Sequence, residues 1–191
     1  MKNFKIMMTV LLVTLLFSCS SNDDEETPAV YEEQNFLSGF LEKAEFDQSN
    51  LMFTGYPLYF GFSFTPLVEG KINSFVIELP LNDEFAEIIL WDKTSESVVY
   101  TKEINVIGNE ELIVEIDPIY LVKDKEYVLS VYSMSSLFRK NSADQDANFP
   151  IVEGDIKINH SAFDDDPSVM PDSVEYGLYF GDVSFNFQRT K

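Results

Sequence analysis

From Tyr59 onward, apolar side chains alternate with polar ones, the spacing of half-buried strands. The runs expected as strands are Tyr59–Thr65, closed by Pro66, and Lys71–Leu79, opened by Glu69-Gly70 and closed by Pro80. Ala86–Trp91 and Ser97–Ile104 follow, the latter ending near Gly108-Asn109. The clearest alternation comes next: Leu112, Val114 and Ile116 face one side and Glu111, Glu115 and Asp117 the other, until Asp117-Pro118 closes the run. Tyr127–Met134, Asp155–His160 and Tyr176–Phe180 come after it, with Ile156 and Ile158 inward. In the last run, Val183–Gln188, the face of Val183, Phe185 and Phe187 opposes that of Ser184, Asn186 and Gln188. Prolines bound several runs because they donate no ladder hydrogen bond. Ahead of the strands, Phe36, Leu37, Phe40, Leu41 and Ala44 stand at helical spacing within Asn35–Phe46, which fits a short helix or, with Gly39 in it, an irregular strand.

Many short strands with turn signals every 8–12 residues or so predict an all-β fold, a single antiparallel β-sandwich or barrel. No helical pattern separates the strands, which argues against a parallel sheet. A load of 17 Phe and 9 Tyr suits strands. Two polar connections, Ser135–Gly154 and Ser161–Glu175, read as long loops, the usual place for binding on a rigid sandwich. Trp91 ends an apolar strand and reads as core in preference to a sugar platform. Gly70, Gly154 and Gly181 sit where a turn or a close backbone approach is expected.

The N-terminus carries different information. Met1–Lys5 is a short basic head, Ile6–Phe17 is apolar, and Leu16-Phe17-Ser18-Cys19 resembles a bacterial lipoprotein cleavage site. The apolar run is too short to span a bilayer and has the flanks of a secretion signal. Residues 1–18 are therefore expected to be a signal peptide, with Cys19 as the acylated residue after cleavage. Several acyl chains on one cysteine give stable membrane anchoring. Residues 19–34 read as a disordered acidic tether and 35–191 as the domain. Ser20-Ser21-Asn22-Asp23-Asp24-Glu25-Glu26 resembles the acidic export signal of Bacteroidota-type lipoproteins, which implies the outer face of the outer membrane.

Lys2 and Lys5 leave with the signal, so 11 of 13 basic residues remain against 33 acidic ones, a net charge of −22. That charge repels nucleic acid and anionic lipid and could attract cations or basic ligands. Cys19 is the single cysteine, so no disulfide forms within the chain.

Seven short pieces recur in order: Gly61-Phe62-Ser63-Phe64-Thr65-Pro66, Glu69-Gly70-Lys71-Ile72, Glu78-Leu79-Pro80, Leu90-Trp91-Asp92, Leu121–Tyr127, Pro150–Ile156 and Gly181–Phe187. Together, over roughly Gly39 to Gln188, they resemble a family of uncharacterised β-sandwich modules found in secreted and cell-surface proteins and in Bacteroidota-type lipoproteins. The resemblance implies a jelly-roll sandwich shaped like carbohydrate-binding modules, with no established activity. Some members carry an Asn- and Trp-rich stretch where this chain reads Ser133-Met134-Ser135-Ser136-Leu137-Phe138-Arg139, without amides or tryptophan.

Candidate chemistry is sparse. Asp144, Asp146 and Asn148 alternate as in a calcium loop, but Phe149 stands where an EF-hand needs glycine and Asp155 where it needs glutamate. An EF-hand is rejected; a different calcium site is the alternative to a solvated acidic loop, the favoured reading, and no cofactor is otherwise implied. His160, the sole histidine, lacks the partners of a triad or His-based metal site and reads as a solvated strand-end residue. No residue is assigned a catalytic role. Tyr132, Phe138, Arg139 and Phe149, in or beside the longest loop, are the candidate ligand contacts. The expected function is a non-catalytic surface binding or adhesion module whose partner is a polysaccharide or a surface protein, with sugar binding the best specific reading. The rival is a structural or protein-interaction subunit of an envelope or fimbria-like assembly; a hydrolase is third and would need two close carboxylates in a pocket.

Overall fold

The computed structural model describes residues 30–166 and 168–191. The signal peptide, Cys19 and the acidic stretch up to Ala29 lie outside the described residues. The elements are β1 (Glu33–Asn35), α1 (Leu37–Lys43), β2 (Gln48–Pro66), β3 (Gly70–Glu78), β4 (Asp83–Asp92), β5 (Ser97–Val106) and β6 (Leu112–Leu121). After them come β7 (Tyr127–Lys140), β8 (Ile151–Glu153), β9 (Ile156–Asp164), β10 (Ser173–Glu175), β11 (Leu178–Phe180) and β12 (Asp182–Arg189).

Two antiparallel sheets form. The smaller runs β1-β12-β3-β6; the larger runs β10-β9-β2-β7-β4-β5, with β8 added to β9 and β11 to β7. Without β8–β11, the orders β1-β12-β3-β6 and β2-β7-β4-β5 are the two halves of an eight-stranded jelly roll. The β8–β11 excursion between β7 and β12 widens the larger sheet beyond β2.

Period-two alternation puts Phe60, Phe62 and Phe64 of β2, Phe75 and Ile77 of β3, Leu129 and Val131 of β7, and Val183, Phe185 and Phe187 of β12 in one core cluster. The helical reading of the first segment is the one the fold adopts. Phe36 and Phe40 send their rings into the core, Phe36 against Phe62 (5.3 Å) and Phe185 (5.1 Å), Phe40 against Tyr179 (4.9 Å). Asn35 Oδ1 accepts the Leu37 N–H (3.0 Å) where the helix opens.

Several expectations are corrected. The strand expected at Tyr59 starts at Gln48, and its partner continues past Met134 to Lys140, so the expected Ser135–Gly154 loop shrinks to the residues between Lys140 and Ile151. Gln48–Phe53 pairs with Ser135–Lys140, and a bulge separates Phe53 from Leu58. The Ser161–Glu175 connection shrinks too, with Ser161–Asp164 in β9 and Ser173–Glu175 in β10. Pro118 does not close its strand: it sits inside β6, an edge strand, within the irregularity between the Ser74–Glu115 and Ile72–Ile119 pairs. Both are places that tolerate a missing donor. Ser184, on the face opposite Val183, Phe185 and Phe187, is also fully buried; its Oγ accepts a hydrogen bond from Asn35 Nδ2 (3.0 Å). The end of the expected tether belongs to the domain: Glu33 and Gln34 pair with Gln188 and Phe187, and Gln188 Nε2 donates to the Tyr31 carbonyl (2.6 Å).

Candidate functional site

The outer face of the larger sheet carries rows of side chains set by strand register. One row reads Trp91, Val128, Ser63, His160 across β4, β7, β2 and β9. The next reads Ile89, Ser130, Gly61, Ala162, and the third Glu87, Tyr132, Tyr59, Asp164. The face has a closed end and an open end.

At the closed end, Tyr59, Ile89, Trp91, Val128 and Ala162 form a buried cluster separate from the main core, with Met170 packed on it. Trp91, expected in the core, is buried here instead, 6 % exposed on the outer face, and its Nε1–H donates to Ser130 Oγ (3.2 Å). His160 corrects its expectation outright. It lies within β9 and is buried, not solvated at a strand end. Its Nδ1 is 3.0 Å from the Ser161 carbonyl and its Nε2 is 3.1 Å from Lys93 Nζ. A carbonyl can only accept and an ammonium can only donate, so the ring is neutral with its proton on Nδ1. Burial, and then the Lys93 charge, hold His160 below its ordinary pKa of 6.5, against the Ser161 carbonyl and Glu126. Lys93 Nζ also pairs with Glu126 Oε1 (2.9 Å), which accepts from Ser63 Oγ. Burial raises the Glu126 carboxyl, but the Ser63 and Lys93 hydrogen bonds and the nearby positive charge outweigh it, and its pKa falls below 4.5.

The open end begins at the tyrosine row. Tyr132 is half-buried, its ring 4.9 Å from that of Tyr59. Two residues farther along each strand come Phe85 and Met134. Asp83, buried at the start of β4, braces both: Oδ1 accepts the Phe85 N–H (3.0 Å), and Oδ2 accepts Ser133 Oγ–H (2.7 Å) and the Met134 N–H (3.4 Å). Alongside runs the β2 bulge, tied on by Thr54 Oγ1 to the Met134 carbonyl (3.1 Å). Phe85 is 80 % exposed, Phe53 62 % and Tyr56 57 %. Large aromatic side chains are thus held in the open by a rigid sheet.

Of the four candidate ligand contacts, only Tyr132 belongs to this strip. Phe138 is partly buried against the core, opposite Asn50 and Phe180, and Arg139 pairs in register with Ser49 and Tyr179. Phe149 packs on Phe40 (5.9 Å) and Phe46 (6.4 Å) beneath the helix. The candidate metal residues Asp144, Asp146 and Asn148 lie in an exposed loop, where Lys140 Nζ engages Asp144 Oδ1 (2.5 Å). Among the described residues, no three His, Cys, Asp or Glu side chains converge as a metal site. Sequence reasoning missed Phe53, Tyr56, Phe85 and Met134. The signal available was an aromatic or apolar residue beside Gly55, Pro57 and Asp83, where no strand pattern required burial.

Fold and face together define a jelly-roll β-sandwich with an exposed aromatic strip on its larger sheet. No family model matches the chain, and a search of curated proteins finds no match.

Proposed function

We propose that this chain is a non-catalytic binding module, fastened to the outer face of the outer membrane through acylated Cys19, and that the strip of Phe53, Tyr56, Phe85, Tyr132 and Met134 takes hold of a glycan. The observation that carries the reading is the exposure of Phe53, Tyr56, Phe85 and Met134 beside the half-buried Tyr132 on the larger sheet. Large aromatic side chains left uncovered on a folded domain mark candidate interaction surfaces. Pyranose rings present C–H faces that stack on aromatic rings, and Tyr adds a hydroxyl at its rim. The resemblance to β-sandwich modules shaped like carbohydrate-binding domains points the same way.

The test is a glycan array and an affinity gel with soluble polysaccharides, using the mature domain. Retention is expected, and it is lost in the Phe85→Ala, Tyr132→Ala double variant; no retention on either platform refutes glycan binding. Location is tested separately: Cys19→Ser should move the protein from the membrane fraction to the soluble one, and its staying membrane-bound ends the anchoring claim.

One observation favours the rival class of a protein-interaction subunit. β5 is an open edge of the larger sheet, with Val98 49 % and Val99 43 % exposed. Exposed edges accept an added strand. Recovery of a strand-paired partner by cross-linking from β5, with a silent glycan array, would favour that class.

A further inference from the structure

Resting on the glycan reading, we propose that the strip selects cationic glycans, polymers of amino sugars with free amines, and turns uronate polymers away. The row through the tyrosines is the reason. In register it reads Glu103, Glu87, Tyr132, Tyr59, Asp164, so carboxylates stand on both sides of the half-buried Tyr132 ring and the buried Tyr59 behind it. Glu84, exposed, precedes Phe85, and Asp165 and Asp166 are exposed beyond Asp164. The Tyr59 phenol is pushed up to about 12, by burial first and then by Glu87, Tyr132 and Asp166. An ammonium group there meets the open part of the Tyr132 ring and the Glu87 carboxylate together, two attractions that reinforce each other.

The nearby basic side chains are engaged elsewhere. Lys93 is held by Glu126 and His160 at the closed end, Lys140 by Asp144, and Lys102 Nζ reaches the Glu115 carbonyl on the smaller sheet (3.5 Å). Arg139 lies on β7 beyond Met134, between Ser49 and Tyr179 in register. The open end therefore presents negative charge to an arriving polymer, and a uronate chain meets repulsion without a compensating cation. Glu87 is the selecting residue. The Thr101 hydroxyl donates to its Oε1, which fixes the carboxylate beside the tyrosines.

The experiment compares two oligomers identical except at nitrogen: β-1,4-linked glucosamine, and the same oligomer fully N-acetylated. Binding to the mature domain is measured by calorimetry in mildly acidic, low-salt buffer. The free-amine oligomer should bind about tenfold tighter, the sum expected of a few exposed charge pairs, and the preference should shrink as salt is added. Glu87→Gln keeps an acceptor for Thr101 and should bring the two affinities together; Phe85→Ala should weaken both. Equal affinities, tighter binding of the acetylated form, or a preference that survives Glu87→Gln overturns the charge selection. If neither oligomer binds while neutral or acidic glycans on the array do, the selection falls and the glycan reading stands. If nothing binds in any format, both fall.

Discussion

At the scale of single residues, buried polar groups on the larger sheet act as fixed braces, and their removal has readable costs. Asp83→Ala strips the acceptor from Ser133 Oγ and from the Phe85 and Met134 N–H groups. Leaving a buried hydroxyl unpaired costs about 1–3 kcal/mol, and the urea midpoint should fall accordingly. Gly61 is a position where no side chain fits: a Cβ there would collide with the Leu129 carbonyl oxygen and Ser130 Cα of the paired strand. Gly61→Ala is expected to lose the folded fraction by circular dichroism, since backbone atoms of a central strand cannot yield. The His160 ring makes stability depend on pH. Its folded pKa lies below 6.5, so the unfolded chain binds the proton first. Stability is therefore full above pH 6.5 and is lost as pH falls toward the folded value. Glu126, also lowered, adds a second loss below pH 4.5. Urea midpoints measured down a pH series should show both steps, and His160→Gln should remove the upper one.

At the scale of elements, period-two segments with large apolar residues were legible and polar strand segments were not. Val183, Phe185 and Phe187 alternate cleanly and are buried as expected. Gln48–Phe53 and Ser135–Lys140 pair with each other, yet they carry Gln, Ser and Asn where strand residues are usually apolar. Their pairing is decided by a partner distant in the chain, which no local pattern encodes. Ser135 and Ser136 are buried, so small polar residues that read as loop are packed strand. The exposed aromatic side chains are illegible for a related reason: they stand on strand ends and a bulge, outside the polar connections where binding is expected. Amide exchange should follow this division. The centre of β2 and β7, paired on both sides, should exchange slowest, and the outward amides of edge strand β5 within the fastest class.

At the scale of the whole molecule, charge and topology set behaviour. With 33 acidic residues and few cations, the folded state repels itself, and added salt screens that repulsion. The melting temperature of the mature domain should rise as sodium chloride is added from a low-salt buffer; a flat response would mean that the acidic residues are spread too widely to matter. A second global feature is the latch between the first and last strands. Arg189 donates two hydrogen bonds to Asp155 (2.5 and 3.2 Å) and lies over the Tyr31 ring (5.4 Å), beside the pairing of β1 with β12. Glu33 opposes Gln188, so the backbone comes in and goes out on neighbouring strands, about 5 Å apart. Such a body can be spliced into the loop of another protein without prising its host apart, or closed head to tail by a short peptide. Either fusion leaves the larger sheet unobstructed.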